Sequence, residues 1–331
     1  MSEDVFWSST TCRACEEVCP VGIEHVDLIT DVRRSMVLLQ GALPNEAQPS
    51  LRAIENRGNP LGDANARVDW AKDISVPIAE PNQKLDVLYW VGCISAYDKR
   101  KQSIARSLAK ILNSSGLTWA ILGNKEHCSG DPARRLGEEN LFQSKAKYNV
   151  ELIKSIECKT IVANCPHCFN TLKNEYPDVA DWDRKNRPRI VHHTELIQEL
   201  LQTGKIQVDN KEALEVTFHD PCYLGRYNDQ YKEPRDILVQ LGHKNKEMKE
   251  HGKKAMCCGA GGGHYWMDMK VGTRVNTARA EHALETGAQV VATGCPFCMQ
   301  MLEDGIKISD KEEALVVKDI AELVADKLIS N

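Results

Sequence analysis

The stretch "ANCPHCFNTLKNEY" (163–176) and the stretch "TGCPFCMQMLEDGI" (293–306) carry the same CxxC, and each closes an apolar run, "KTIVANC" (159–165) and "AQVVATGC" (288–295). An apolar run that ends in Cys-Pro predicts a buried strand giving way to a helix, because proline suits a helix's first turn and breaks its interior. Working outward from these two points, the chain repeats itself. "YWVGCISAYDKR" (89–100) stands beside "TFHDPCYLGRYN" (217–228), and "EHCSGD" (126–131) beside "MCCGAG" (256–261). Cys93, Cys128, Cys165 and Cys168 are answered in order by Cys222, Cys258, Cys295 and Cys298, and 36 residues separate Cys128 from Cys165 just as they separate Cys258 from Cys295. Shared order and spacing mark a duplication.

Each copy opens with an extended apolar run, "LDVLYWV" or "LEVTFH", that ends near its first cysteine. Helical patterns follow: "SIARSLAKIL" sets Ile104, Leu108 and Ile111 on one face, and "RVNTARAEHAL" behaves likewise. Each copy closes with a further strand-helix unit, "RIVHHTELIQELL" and "ALVVKDIAELVADKL", the second with Asp319 and Glu322 spaced as a helix start. Strand then helix, repeated, predicts an α/β chain of parallel-type βα units. The expected division is a small helical cysteine-bearing segment (1–45), a connecting segment (46–84) with no sustained periodicity and several Pro and Gly, a first copy (85–208) and a second copy (209–331). The cysteines then gather at strand carboxyl ends, where open α/β sheets place their sites.

With 42 basic and 47 acidic residues among 331, the net charge of −5 gives no reason to expect nucleic acid, and no basic block interleaved with aromatics occurs. The longest apolar runs fall far short of the roughly 20 residues that span a bilayer, and "MSEDVFWSS" lacks the basic and apolar regions of a signal peptide. A soluble, cytoplasmic protein is expected. Thirteen cysteines are many, but the count is odd and an export signal is missing, so thiolate ligands for metal fit better than disulfides.

Cys222, Cys257, Cys258, Cys295 and Cys298 make five thiolates, one more than a tetrahedral zinc site or an ordinary four-iron cubane requires. Adjacent cysteines do not easily point at one metal ion, but they can reach two irons of one cluster. Gly259, Gly261, Gly262 and Gly263 allow the backbone to approach closely, so that amide N–H groups can donate to sulfur. Their spacing after the cysteines does not match a nucleotide-binding glycine loop. Two plainer readings stand beside this one. "CPHC" and "CPFC" look like thioredoxin-type dithiols, which accounts for two cysteines per copy, and the four cysteines of the first copy also suit a structural zinc ion.

Cys, then Cys-Cys-Gly, then CxxC, present twice, resembles the CCG cysteine-rich domain of the heterodisulfide reductase catalytic subunit and its relatives. Those relatives include the iron–sulfur subunits of anaerobic glycerol-3-phosphate dehydrogenase and glycolate oxidase, and membrane-associated electron-transfer flavoprotein:quinone oxidoreductases. The resemblance covers residues 7–331, and "CSGDPARRLGEENLF" and "NRGNPLG" look like the flavoprotein-linked branch. It implies a non-cubane [4Fe-4S] cluster on Cys222, Cys257, Cys258, Cys295 and Cys298. In the first copy His127 replaces the leading cysteine of the pair, leaving Cys93, Cys128, Cys165 and Cys168. Four thiolates suffice for a cubane, so a cubane or no cluster is expected there, with His127 as an extra ligand, a donor to sulfide or a filler.

"SSTTCRACEEVCP" resembles half of a two-cluster ferredoxin, with Cys12, Cys15 and Cys19 present and Ser9 where the first cysteine belongs. A truncated or decayed ferredoxin-like domain is the reading. Cys158 is taken as a structural thiol. What the resemblance implies is an iron–sulfur oxidoreductase subunit passing electrons between a flavoprotein and a quinone or disulfide, with an electron-transfer flavoprotein and a membrane quinone-reactive subunit as partners, the second drawing the chain to the inner face of the membrane. The alternatives are a thiol/disulfide reductase of the heterodisulfide type and a zinc-stabilised binding module with no redox role.

Overall fold

In the computed structural model, which describes residues 3–268 and 272–329, each copy builds a four-stranded, wholly parallel sheet. β1 (Lys84–Trp90), β2 (Trp119–Ile121), β3 (Glu157–Ala163) and β4 (Arg189–His192) lie in the order β2-β1-β3-β4. β5 (Glu215–Phe218), β6 (Lys244–Asn245), β7 (Val290–Thr293) and β8 (Val316–Asp319) repeat it as β6-β5-β7-β8. The inner strands are buried on both faces by helices, which is why β1 and β7 read as apolar runs rather than as alternating ones. From β1 the chain moves outward to β2, then crosses back to β3 on the other side. The carboxyl ends of β1 and β3, and of β5 and β7, therefore flank a crevice where the winding reverses, the usual ligand position in such sheets.

The two copies pack reciprocally. Helix Gln102–Ser114 of the first lies on helix Ile320–Asp326 of the second, while helix His193–Gln202 of the first lies on helix Lys232–Gln240 of the second. Leu108, Ile111, Leu196, Ile237, Leu323 and Val324 share the resulting core. Ile104, Leu108 and Ile111 are all buried, as their spacing predicts. Asp319 and Glu322 form the capping box expected from the sequence, and the Asp319 carboxylate also meets His193 Nε2 at 2.9 Å, so the cap of one copy is pinned to the other.

Residues 46–84 are more ordered than their lack of periodicity predicts. Gln48–Arg57 is a helix with Ser50, Leu51, Ala53 and Ile54 buried. Pro49 sits in its first turn and Gly58 ends it at φ 74°, so two residues that look like breakers are a start and a stop. Short 3₁₀ turns at Ala64–Ala66 and Asp69–Ala71 then carry Arg67 and Trp70 inward. On helix His25–Gln40, the buried Arg33 guanidinium donates to the carbonyls of Phe6, Trp7 and Ser9, to Arg135 of the first copy and to Gly262 of the second. One side chain thus ties the amino-terminal segment to both copies. Among the described residues no helix is long and apolar enough to cross a membrane.

Candidate metal centres

The five cysteines of the second copy converge. Cys222 follows β5 and Cys295 follows β7, where it caps helix Pro296–Ile308 by accepting the Cys298 N–H at 3.4 Å. The Cys257–Cys258 pair arrives from the loop beyond β6. Cys222 contacts Cys257, Cys258 contacts Cys298, and Cys298 contacts Cys295, all thiol to thiol and all buried. Backbone N–H groups support the set: Gly259 donates to Cys257 Sγ at 3.3 Å, and Ala260 donates to Cys258. Within this crowd the thiols split. The neighbouring thiol of Cys257 and burial push Cys222 well up, whereas Cys257 and Cys298 as donors hold Cys258 well down. Burial opposes ionisation of Cys295, but the Cys165 and Cys298 thiols outweigh it and bring Cys295 to about 6. Packed thiols of this kind compete for few protons, and a cation placed among them relieves the competition.

The first copy repeats the arrangement with four. Cys93 opens a short helix, Cys93–Tyr97, after β1, and Cys165 and Cys168 flank the start of helix Pro166–Asn170 after β3. Cys93 contacts Cys128, Cys165 contacts Cys168, and all four are buried. Gly130 N–H donates to Cys128 Sγ and Ser129 Oγ to Cys168 Sγ, each at 3.5 Å. The two sets meet at their CxxC motifs, where the Cys165 thiol contacts the Cys295 thiol.

The buried Nδ1 of His127 has no hydrogen-bond partner among the described residues. Its ring stacks on Tyr148, with centroids 3.9 Å apart and planes 13° apart, and its other face lies on Gly58. Burial, with Lys145 and Arg67 nearby, lowers it to about 4, so it is a neutral ring at neutral pH. Of the amino-terminal cysteines, Cys12 reaches the second copy's site and contacts Cys257. Cys15 is exposed, and Cys19 Sγ accepts the Ile23 N–H of its own loop at 3.4 Å. The docking of Cys12 explains two of the glycines. A Cβ at Gly261 or Gly262 would collide with the Thr10 or Ser9 carbonyl, so the glycine run admits the segment that carries Cys12. Arg226 Nε donates to the Cys12 carbonyl at 2.6 Å and Tyr227 Oη to that of Thr11 at 2.7 Å, completing the seat.

Two buried, thiol-rich sites at equivalent switch points are what a duplicated metal-binding domain would leave, and comparison with known proteins agrees. Residues 87–173 and 216–303 each match the CCG cysteine-rich domain family. The chain belongs to that family. It is 43% identical, over 99% of its own length and 47% of the relative's, to the probable iron–sulfur-binding oxidoreductase FadF of Bacillus subtilis. It is 34% identical to the EtfAB:quinone oxidoreductase of Syntrophomonas wolfei, over 98% and 46% of the two lengths. It is 31% identical to one subunit of the dihydromethanophenazine:CoB–CoM heterodisulfide reductase of Methanosarcina barkeri, over 96% and 77%. The chain therefore spans about half the length of the first two relatives.

The surroundings of the CCG thiols suit an iron–sulfur group, whose sulfides and thiolate ligands accept hydrogen bonds from nearby N–H groups. Beside the second set, Arg226 Nη2 and Arg279 Nη2 are buried with no partner among the described residues; beside the first, Arg67 Nη1 and Trp90 Nε1 are in the same condition. Buried N–H groups left unpaired are rare and costly, so an absent acceptor is implied. His219 also stands at the second set. Its Nδ1 accepts from Arg279 Nε at 3.0 Å, and burial followed by Arg279 keeps the ring uncharged, which fixes the proton on Nε2. A ring nitrogen of His219 lies within 4.8 Å of Cys258 and Cys298 Sγ. Reading the sequence missed these residues, yet the repeat register holds the signal: counting from the paired cysteines, Trp90 matches His219, Tyr97 matches Arg226 and Asn149 matches Arg279.

Proposed function

We propose that this chain relays electrons between a reduced flavoprotein and a quinone through two [4Fe-4S] clusters, one held by each CCG set. Cys222, Cys257, Cys258, Cys295 and Cys298 would hold the second, of the non-cubane type, and Cys93, Cys128, Cys165 and Cys168 would hold the first, of the cubane type. When bound, such clusters accept and release single electrons. The protein's part is to keep both sites dry, to hold each set of thiolates under N–H donors, and to bring the sets together. The contact between Cys165 and Cys295 carries this reading: it sets the two sites side by side with no intervening layer.

The flavoprotein and quinone are proposed from the EtfAB:quinone oxidoreductase likeness, with the chain working as part of a larger assembly at the cytoplasmic face of a membrane. That likeness, with His127 in the first copy where the second has Cys257, favours quinone-linked relay over reduction of a disulfide.

The test is stopped-flow absorbance of the anaerobically purified chain, reduced and then mixed with a short-chain quinone or with a small disulfide. Rapid recovery of the cluster absorbance at about 400 nm with the quinone alone supports the relay. Recovery with the disulfide alone overturns it in favour of a disulfide reductase.

A further inference from the structure

The second CCG set is flanked by two guanidinium groups from its own copy. Arg226, four residues after Cys222, lies close enough to Cys222 and Cys257 to be stabilised by their charge, and Arg279 is likewise affected by Cys258 and Cys298. The equal spacing of the repeat shows what the first copy has instead. Four residues after Cys93 stands Tyr97, and Asn149 takes the place of Arg279, spending its amide on the Cys128 carbonyl at 3.1 Å and on Tyr176. Neither is a cation. At these two matched positions the first copy carries no cation.

Arg67 fills the gap from outside. It belongs to the connecting segment, is 3% exposed, and its guanidinium lies over the Tyr97 ring with Cζ 5.8 Å from the centroid. Its guanidinium lies close enough to Cys93 and Cys128 to act on both by charge. One edge of the guanidinium is paired with Glu126, whose carboxylate also accepts the N–H of Val91 at 3.0 Å and of Gly92 at 2.8 Å, in the turn that leads into Cys93. The other edge, Nη1, is buried and without a partner among the described residues. Glu126 therefore anchors the arginine to the Cys93 turn and leaves a charged N–H free for something else. A buried ion pair that served stability alone would satisfy all its donors, since an orphaned N–H of a charged group is costly.

We propose that Arg67 is the borrowed cation of the first CCG site: a positioning residue that donates Nη1–H to the anionic iron–sulfur group on Cys93, Cys128, Cys165 and Cys168 and raises its reduction potential. The inference rests on the reading that the first site holds a cluster. It also assigns the segment around "NRGNPLG" a role, since Gly58 O accepts the Cys128 N–H at 2.6 Å and Arg67 follows a few residues later.

The test compares iron content and EPR-monitored potentials of the wild type, Arg67→Lys, and the double variant Arg67→Gln/Glu126→Gln, which removes both charges with near-isosteric amides. In the double variant the first-site midpoint shifts to lower potential, or first-site iron is lost, while the second-site signal stays in place. Arg67→Lys keeps the charge and its iron, with a smaller downward shift from loss of the forked donor. Wild-type iron and wild-type potentials in both variants would reduce Arg67 to a structural ion pair and overturn the proposal. Failure of the underlying reading looks different: Cys128→Ala would then leave the iron and sulfide content of the chain unchanged.

Discussion

The Cys165 thiol of the first copy touches the Cys295 thiol of the second. Each is the leading cysteine of its CxxC and each stands just past the end of a central strand, so the contact is fixed by two sheets and by the reciprocal helix packing that holds them together. Clusters on such neighbouring ligands would interact magnetically. The fully reduced protein should give a split or broadened EPR spectrum, and Cys128→Ala, which dismantles the first set, should leave a simple unsplit signal from the second.

Replacing Cys258 by Ala removes the thiol that contacts both Cys257 and Cys298. The second cluster should be lost and iron per chain should fall by about half, with the remaining absorbance belonging to the first set. Unchanged iron would refute the ligand assignment.

The seat of the amino-terminal segment can be tested without iron chemistry. At Gly262, φ is 65° and a Cβ would run into the Ser9 carbonyl. Gly262→Ala should cost about 1–3 kcal/mol, combining backbone strain with displacement of residues 8–12. Hydrogen exchange in that segment should quicken while exchange in β1 and β5 is unaffected.

Arg33→Met should be more damaging, because the carbonyls of Phe6, Ser9, Arg135 and Gly262 lose a shared donor inside the protein. A loss of about 3–5 kcal/mol is expected, measured by anaerobic urea unfolding. A loss under about 1 kcal/mol would mean that the amino-terminal segment holds its place without it.

His243 gives the pH dependence. Burial, then Lys327 and Lys318, lowers it to about 4, while its Nδ1 accepts the Leu214 N–H at 3.1 Å. The folded pKa lies below the unfolded one near 6.5, so as pH falls the unfolded chain takes up a proton first. Stability from this group is present above about pH 6.5 and is lost progressively toward about pH 4. His243→Gln, which keeps an acceptor for Leu214, should show a shallower decline between about pH 7 and about pH 5.5 than the wild type.

Much of this architecture is legible in the chain because duplication writes its register twice. The equal spacing of Cys128–Cys165 and Cys258–Cys295 locates the repeat, and apolar runs ending at cysteines locate the strands that carry them. Residues acting across long separations stay hidden. Arg33 and Arg67 look like ordinary surface charges in sequence, since burial of an arginine depends on carbonyls or a carboxylate supplied from elsewhere in the fold. The glycines after Cys258 read as room for a cluster. Gly261 and Gly262 are instead room for the backbone of Ser9 and Thr10, a contact between residues about 250 apart that no local pattern could show. Pro49 and Gly58 mislead for a different reason: each residue type both ends and begins structure, and only its position within the helix decides which.

The central claim is that both CCG sets hold a four-iron cluster even though His127 stands in the first. Iron and acid-labile sulfide per chain, determined after anaerobic purification, test it most directly. The account predicts about eight of each. About four of each would confine the chemistry to Cys222, Cys257, Cys258, Cys295 and Cys298, contradicting the two-site path and leaving the first copy a scaffold.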